Sequence, residues 1–215
     1  MLSGTLVSVR IFFLTLIFSV PLALVLCAGR MSKNAVVRTI VKWFLLLIRG
    51  TPLMLQLICV YFIPGILTDG AFSFERFVAA IIALAINYAC YFAEIYRGGL
   101  ESIPRGQYEA ANVLGYGKAA RFFYIIIPQV VKRIIPAMGN EVITLVKDTA
   151  LVQVIGVVEL LHIAKTASNR MVSTVPLFLA GAFYFLMNGI VSWFFNFLEK
   201  KLSYYKEKLE SKLRL

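Results

Sequence analysis

The chain has 215 residues, of which 60% are hydrophobic and only 15% are charged, and its mean hydropathy is +0.82. A water-soluble domain of this size needs more polar surface, so the composition favours a protein embedded in membrane lipid. The net charge of +11 could suggest nucleic-acid binding. The basic residues alternate with apolar stretches instead of forming one continuous patch, and this argues against nucleic acid as a partner.

The first apolar stretch, about residues 6–28, predicts a transmembrane helix. It could be mistaken for a secretory signal peptide. Cys27 follows Leu-Val-Leu, whereas a lipoprotein signal has a small residue before its cysteine, and more apolar stretches follow. We therefore interpret the stretch as the first span. A basic segment without acidic residues comes next, over residues 30–49.

The second predicted span covers about residues 51–66, and an amphipathic or partly buried helix over residues 36–48 could precede it. A short loop follows the span, marked by Pro64, Gly65, Asp69 and Gly70. The third predicted span covers about residues 77–96. A polar segment over residues 97–132 then interrupts the apolar pattern.

A fourth span is predicted over about residues 136–158 and a fifth over about residues 175–198. The segment between them reads as a loop and carries Glu159 and His162 near the outer end of the fourth span. We interpret these two residues as gate or receptor-docking residues. The alternative is an ordinary surface position, which is favoured for His162.

Five spans place the two termini on opposite sides of the membrane. Residues 30–49, 97–133 and 199–215 contain 17 of the 22 Lys and Arg residues, and basic loops stay in the cytoplasm. The N-terminus is therefore predicted outside and the C-terminus in the cytoplasm, with the charged tail from Glu199 as a solvated helix. The sequence thus predicts one all-α domain over residues 1–215, a five-helix bundle in the cell membrane.

Catalytic, cofactor and metal motifs are lacking in the sequence. Cys27, Cys59 and Cys90 each lie in an apolar run without a C-x-x-C pattern, and they read as small buried hydrophobes. The glycines before Lys118 do not make a nucleotide-binding G-x4-G-K-[ST] motif, because Ala119 stands in place of Ser or Thr. We predict that the chain is not an enzyme and uses no cofactor. Any ATP hydrolysis is predicted to be carried out by a partner.

The most informative segment lies between the third and fourth spans. Three residues separate Glu109-Ala110-Ala111 from Gly115, and nine more separate Gly115 from Ile125-Ile126-Ile127-Pro128. Ala and Glu favour a helix, Gly115 permits a sharp turn, and Pro128 must bend or end the second helix. This pattern resembles the E-A-A-x3-G-x9-I-x-L-P loop of binding-protein-dependent ATP-binding-cassette (ABC) importers, with Ile127 where Leu is usual.

The resemblance implies a cytoplasmic coupling loop over about residues 105–128 that contacts a separate ATPase. The coupling residues carried over from the pattern are Glu109, Ala110, Ala111, Gly115, Ile125 and Pro128. Three further segments resemble the polar amino acid permeases among these importers: Arg49-Gly50-Thr51-Pro52-Leu53 followed by Gln56, Ala93-Glu94-Ile95-Tyr96-Arg97-Gly98-Gly99, and the stretch from Gly139-Asn140-Glu141 to Lys147-Asp148-Thr149-Ala150-Leu151.

This family resemblance also implies the partners. They are two cytoplasmic ABC ATPase subunits, a second permease subunit that is identical or homologous, and an extracytoplasmic amino-acid-binding protein. The implied substrate is a polar amino acid.

Polar side chains within the spans are candidates for the substrate site, because a charged residue costs about 2.5–3.5 kcal/mol at the centre of a membrane helix. In the third span, Asn87, Tyr91 and Glu94 are spaced i, i+4 and i+7 and share one helix face. In the fourth span, Glu141, Thr144 and Asp148 share another helix face, and Asn140 and Lys147 lie elsewhere in the same span. The two faces indicate a shared polar cavity.

An amino acid carries an ammonium and a carboxylate, so its site must offer both signs of charge. We predict that Glu94 and Glu141 receive the ammonium or a cationic side chain, and that Thr51, Asn87 and Tyr91 supply neutral hydrogen bonds. The helix break at Gly50–Pro52 leaves backbone amides that can meet the carboxylate. The alternative is that these polar residues pair with one another to hold the bundle together, as Lys147 could with Glu141 or Asp148.

Two other functional classes stay open on the sequence alone. An ion-coupled secondary transporter would work without an ATPase, and the coupling-loop pattern argues against it. An intramembrane enzyme would need catalytic residues, which the sequence lacks.

Overall fold

Long helices dominate the computed structural model of the chain, which describes the backbone of residues 1–213 and the side chains of residues 1–202. No strand occurs in this described part. In chain order the helices are α1 Leu2–Arg30, α2 Ala35–Arg49, α3 Leu53–Leu67, α4 Arg76–Glu101, α5 Arg105–Val113, α6 Lys118–Ala120, α7 Ile127–Asp148, α8 Leu160–Met171 and α9 Val175–Leu213, with a π-helix Arg121–Ile126 before α7 and a 3₁₀-helix Thr149–Ile155 after it.

The core of the bundle is the contact between α1 and α4. Helix α1 buries a stripe of mostly small side chains at intervals of three or four residues: Gly4, Ser8, Ile11, Thr15, Ser19, Ala23 and Cys27. Helix α4 meets this stripe with its own alanines and is the most deeply buried helix. Small residues let two helix backbones approach closely, which is how membrane helices gain packing without a hydrophobic driving force.

Helices α2 and α3 form a bent pair whose axes differ by 107°. The Asn34 side chain caps the start of α2 by accepting hydrogen bonds from the Val36 and Val37 amides at 2.9 and 3.4 Å. Pro52 separates α2 from α3, because it has no N–H to donate to a carbonyl of the preceding helical turn. The predicted helix over residues 36–48 corresponds to α2 and is strongly amphipathic.

One continuous helical stretch, Lys118–Ile155, joins the polar segment to the fourth span. Of the two outcomes predicted at Pro128, a bend or an end, the end does not occur, because the helix continues through this proline. The π-helix lies directly before this proline, and the Ile127 amide donates to the Phe122 carbonyl, five residues back. The wider π turn relieves the crowding that a proline ring causes in the preceding turn, so the helix continues.

The segment between the fourth and fifth spans also differs from its prediction as a loop, because it contains α8, Leu160–Met171. Helix α8 packs against α1 and α9. Gly4 of α1 lies so close to the Leu160 backbone that an added Cβ would meet it at 2.8 Å. The tail from Glu199 continues α9 through Leu213, and the charged side chains at Lys206, Lys208, Lys212 and Arg214 lie outside the described residues.

The predicted all-α, five-span architecture is confirmed. Four stretches are long and apolar enough to cross a membrane, namely α1, α4, Lys118–Ile155 and Val175–Leu202. The bent α2–α3 pair accounts for the fifth, with α3 at the position of the predicted second span.

The close packing of α4 against α7 predicts different effects of alanine substitution at two adjacent glycines of α4. A Cβ on Gly99 would lie 2.3 Å from Ile134 Cγ2, whereas a Cβ on exposed Gly98 would have no neighbour within 4 Å. Both alanine substitutions gain the same helix propensity, so their difference isolates the clash. We expect Gly99→Ala to be about 1–3 kcal/mol less stable than Gly98→Ala, measured by SDS-induced unfolding. Equal stability of the two variants would contradict this packing.

Candidate functional site

The bend between α2 and α3 is held by a chain of side-chain hydrogen bonds. The Gln56 amide nitrogen lies 2.7 Å from the Ile48 carbonyl oxygen, 3.2 Å from the Thr51 carbonyl oxygen and 2.9 Å from Thr51 Oγ1. Buried Asn87 of α4 donates to the Gln56 side-chain oxygen at 2.9 Å. The predicted site residues Thr51 and Asn87 are thus brought together, and Gln56 links them.

At the start of α3, the first-turn backbone amides receive no side-chain cap. These N–H groups carry the positive end of the helix dipole, and a carboxylate is their natural partner. The uncapped backbone amides expected at the Gly50–Pro52 break are therefore those of the first turn of α3. This end of α3 lies beside the hydrogen bonds that join Thr51, Gln56 and Asn87.

About two helical turns beyond Asn87 along α4, an arginine cluster surrounds Glu94. Its carboxylate lies 2.6 Å from Arg97, 3.6 Å from Arg30 and 4.0 Å from Arg49. The Arg49 guanidinium also stacks over the Tyr91 ring, 5.2 Å from its centroid. Glu94 and Tyr91 share the predicted face, but three cations already compete for the Glu94 carboxylate. This geometry supports the pairing alternative for Glu94.

The second predicted carboxylate, Glu141 of α7, is arranged differently. It is half-buried, and within the described part of the chain its carboxylate has no ion pair and no side-chain hydrogen bond. Its charge interacts with those of Arg49 and Asp148 without direct contact. Glu141 is therefore the carboxylate best able to receive an ammonium group from a ligand.

Asp148, at the end of α7, accepts a hydrogen bond of 2.7 Å from the hydroxyl of buried Tyr88 in α4. Polar groups of α4 and α7 therefore meet, but the contact is made by Tyr88 and not by the predicted face of Asn87, Tyr91 and Glu94. Tyr88 and Gln56 were missed as site residues. Gln56 could have been found from the motif that contains it, whereas Tyr88 gives no signal, since it follows Asn87 directly and lies on a different helix face.

The coupling segment adopts the predicted short helix and tight turn. The helix α5 ends in a Schellman motif: Gly115 has φ +79°, its N–H donates to the Asn112 carbonyl at 3.0 Å, and the Tyr116 N–H donates to the Ala111 carbonyl at 3.0 Å. Ala111 is buried, while Glu109 and Ala110 are exposed.

Side chains tie α5 to the long helical stretch that follows it. Arg121 hydrogen-bonds Asn112 and stacks over the Tyr108 ring at 5.4 Å. Gln129 donates to Gln107 at 3.1 Å. Ile125 is half-buried beside the small apolar cluster of Ile103, Ile126 and Val130, and Pro128 is exposed. The six predicted coupling residues thus lie in one compact element, of which Glu109, Ala110, Gly115 and Pro128 face outward.

Glu159 has a structural role. It is fully buried, accepts hydrogen bonds of 2.7 Å from the Leu161 and His162 amides at the start of α8, and receives the Tyr184 hydroxyl at 2.8 Å. A buried, satisfied carboxylate cannot contact an external receptor, so the docking interpretation is wrong for Glu159. His162 instead lines an open cavity of the α8 surface with Thr166 and Arg170.

The hydrogen bonds at the bend predict non-additive mutants. Gln56→Leu leaves buried Asn87 without its partner, and it leaves the Ile48 carbonyl with only the 3.4 Å hydrogen bond from Thr51 Oγ1. Each unsatisfied buried group costs about 1–3 kcal/mol. We expect Gln56→Leu and Asn87→Leu each to destabilise the protein, and the double variant to lose clearly less than the sum of the two. Thermal unfolding of the four proteins measures this coupling. Strict additivity would show that the two side chains do not interact.

Comparison with known proteins gives the family. Residues 12–204 match the family described as binding-protein-dependent transport system inner membrane component. The chain is 38% identical to the octopine transport system permease protein OccM of Rhizobium radiobacter, over 85% of this chain and 79% of that protein. It is 36% identical to the arginine transport system permease protein ArtQ of Bacillus subtilis, over 94% of this chain and 91% of that protein.

A solved structure agrees with these relatives. The crystal structure of an amino acid ABC transporter with histidines superposes with a TM-score of 0.84 at 34% identity, covering 93% of this chain and 92% of that chain. The chain therefore belongs to the family of binding-protein-dependent transport system inner membrane components, and it is the permease component of an amino acid ABC transport system.

Proposed function

We propose that this permease imports a polar amino acid and that separate ATPase subunits, docked on α5, drive the transport. The observation that carries the proposal is the surface of α5 and its turn. Glu109 and Ala110 are exposed there, next to the exposed apolar side chains of Val113 and Leu114, which are 88% and 73% accessible. An apolar patch on a short helix outside the spans is suited to contact another protein.

Membership of the family implies ATPase and binding-protein partners. Two ATPases and a second permease subunit, identical or homologous, complete the proposed complex. The binding protein delivers the amino acid from outside. ATP binding closes the ATPase pair and rocks the spans between inward-open and outward-open states, and hydrolysis resets them. The competing function, ion-coupled secondary transport, lacks a role for the exposed α5 patch.

The proposed substrate site lies between α3, α4 and α7. The uncapped N-terminus of α3 would receive the carboxylate of the amino acid, and half-buried Glu141 would receive its ammonium or a cationic side chain. Thr51 and Asn87 line the same region through their bonds to Gln56, and Tyr91 lies next to Arg49. The relatives named for octopine and arginine transport support a substrate with both a carboxylate and a cationic group.

The orientation is part of this proposal. The basic segments favour a cytoplasmic position for α2, α5 and the C-terminus and an external position for the N-terminus. This puts α5 within reach of a cytoplasmic ATPase.

A comparison of two carboxylates tests the substrate site. Loss of a charged hydrogen bond costs about 1.5–3 kcal/mol, so we expect Glu141→Gln to raise the KM for uptake by about tenfold or more while the complex keeps its thermal stability. In Glu94→Gln the three arginines lose their shared carboxylate, and we expect weaker transport together with a lower unfolding temperature. Glu101→Gln, at an exposed ion pair with Arg97, is the control.

The measurements are reconstituted uptake kinetics and thermal unfolding of each assembled complex. A raised KM with unchanged stability in Glu94→Gln would assign the ammonium site to Glu94. An unchanged KM in Glu141→Gln would remove Glu141 from the substrate site.

A substitution at the turn tests the ATPase contact. Gly115 has a positive φ and an open surrounding, so Gly115→Asp adds about 1–2 kcal/mol of backbone strain and a charge at the proposed interface. We expect it to abolish uptake and ATPase pull-down while the permease still inserts in the membrane. Glu109→Lys acts in the same direction if Glu109 faces a basic groove of the ATPase.

Gly70 offers the matched control, since it also has a positive φ, +83°, and no neighbour within 4 Å, but it lies in the loop after α3. Gly70→Asp carries the same strain and is expected to keep ATPase binding. Full uptake and full ATPase binding by Gly115→Asp would refute the proposed coupling element.

A further inference from the structure

Helix α2 has three distinct faces. Leu45, Val41 and Ile48 pack on the rest of the protein, with Leu45 only 3% exposed. Val36, Ile40, Trp43 and Leu47, spaced i, i+4, i+7 and i+11, form an apolar stripe in which every side chain is between 62% and 65% exposed. Because the stripe follows helical periodicity, it is one continuous uncovered surface.

Basic residues occupy the side of α2 opposite the apolar stripe. At 100° per residue, Arg38 lies roughly 170° and Lys42 roughly 130° from the centre of the stripe. Both are exposed, and Lys33 is exposed just before the helix. The sequence from Arg30 to Thr68 contains five basic residues and no acidic one. Two copies of this helix would repel each other, whereas an anionic surface is complementary to it.

The packing contacts fix the depth of α2 in the bundle. Val41 and Val37 contact Gly29, in the last turn of α1, where an added Cβ would meet Val41 Cγ2 at 3.0 Å. At its other end, Arg49 pairs with Glu94, less than three turns from the end of α4 at Glu101. Helix α2 therefore lies at the level where two spans end.

The direction of α2 agrees with this depth. Its axis differs from that of α3 by 107°. If α3 crosses the bilayer near its normal, α2 lies close to the membrane plane. An amphipathic helix in the membrane plane, apolar on one side and rich in Lys and Arg on the other, with Trp43 in the apolar stripe, has the features of an interfacial membrane anchor.

We propose that α2 is an interfacial anchor that binds anionic phospholipids of the cytoplasmic leaflet. The apolar stripe enters the acyl region, and Lys33, Arg38 and Lys42 reach the phosphate groups around it by extending their side chains along the interface. The bound lipid surface thereby holds the α2–α3 bend from the membrane side. This site is separate from the substrate region and from α5, and it does not depend on transport.

The two tryptophans of the chain make the proposal measurable. Trp43 lies in the stripe, and Trp193 lies on α9, where it is 69% exposed. Trp193→Phe leaves Trp43 as the single tryptophan of the full chain, and Trp43→Phe leaves Trp193. Each single-tryptophan protein is reconstituted in phosphatidylcholine vesicles with phosphatidylglycerol, in which either lipid carries bromines as the fluorescence quencher.

We expect brominated phosphatidylglycerol to quench Trp43 about twofold or more above its mole fraction, because each Lys or Arg near an anionic surface contributes about fivefold to binding. Bromines near the headgroup should quench it more than bromines deep in the acyl chain. The excess should disappear in the Lys33→Gln, Arg38→Gln, Lys42→Gln triple variant and at high salt. Trp193 should show a smaller excess or none, and the triple variant should leave its quenching unchanged.

The matched control removes three exposed cations elsewhere, by Arg10→Gln, Lys165→Gln and Arg170→Gln, and should keep the Trp43 preference. Quenching of Trp43 in proportion to the bulk composition would overturn the anionic-lipid site. Stronger quenching by deep than by shallow bromines would overturn the interfacial position. No quenching by either lipid would show that protein, such as a second copy of the chain, covers the stripe, and would also overturn the proposal.

Discussion

Backbone groups within a bilayer must find partners inside the protein, and the break between α2 and α3 is where this constraint is hardest to meet. The Ile48 and Thr51 carbonyls lie at the break, where the regular series of helical backbone hydrogen bonds is interrupted. Pro52, four residues after Ile48, has no N–H to donate to the Ile48 carbonyl. Gln56 supplies the missing donor to both carbonyls, and Asn87 of α4 holds Gln56 in place. A single side-chain amide thus allows the chain to turn by 107° within the bundle.

The fixed bend positions the charges around it. It directs Arg49 toward Glu94 and the Tyr91 ring, and it exposes the uncapped start of α3 nearby. Glu94 balances arginines from α1, α2 and α4, so it connects three helices electrostatically. The cluster holds more cations than carboxylates, whereas Glu141 of α7 lacks a direct cationic partner among the described residues. This separation of charge is what a zwitterionic ligand requires.

Composition and periodicity could predict the five spans, the amphipathic α2 and the glycine turn after α5, because each depends on local chemistry: apolar length, helical spacing and the left-handed φ at Gly115. The continuation of the helix through Pro128 could not be predicted, because the sequence does not show whether a π turn will accommodate the proline ring. Helix α8 was missed because its weakly apolar sequence depends on the buried cap of Glu159 and on packing against α1. In the site, helical spacing placed Asn87, Tyr91 and Glu94 on one face. It could not show that three arginines from separate segments converge on Glu94, because that is a tertiary contact.

The long helical stretch Lys118–Ile155 connects the two functional regions mechanically. At one end, Arg121 and Gln129 hold α5 through Asn112 and Gln107, and Arg133 bonds Ser102 at the end of α4. Farther along the same stretch is Glu141, and Asp148 then bonds Tyr88. The π turn widens this helix without interrupting it. The same helix therefore contacts α5, with its proposed contact surface, at one end and carries the Glu141 carboxylate farther along. In the proposed transport cycle, this continuous helix would transmit a displacement of α5 to the substrate site, and the α2–α3 bend, anchored to α4 through Asn87, would be the part against which the helix moves.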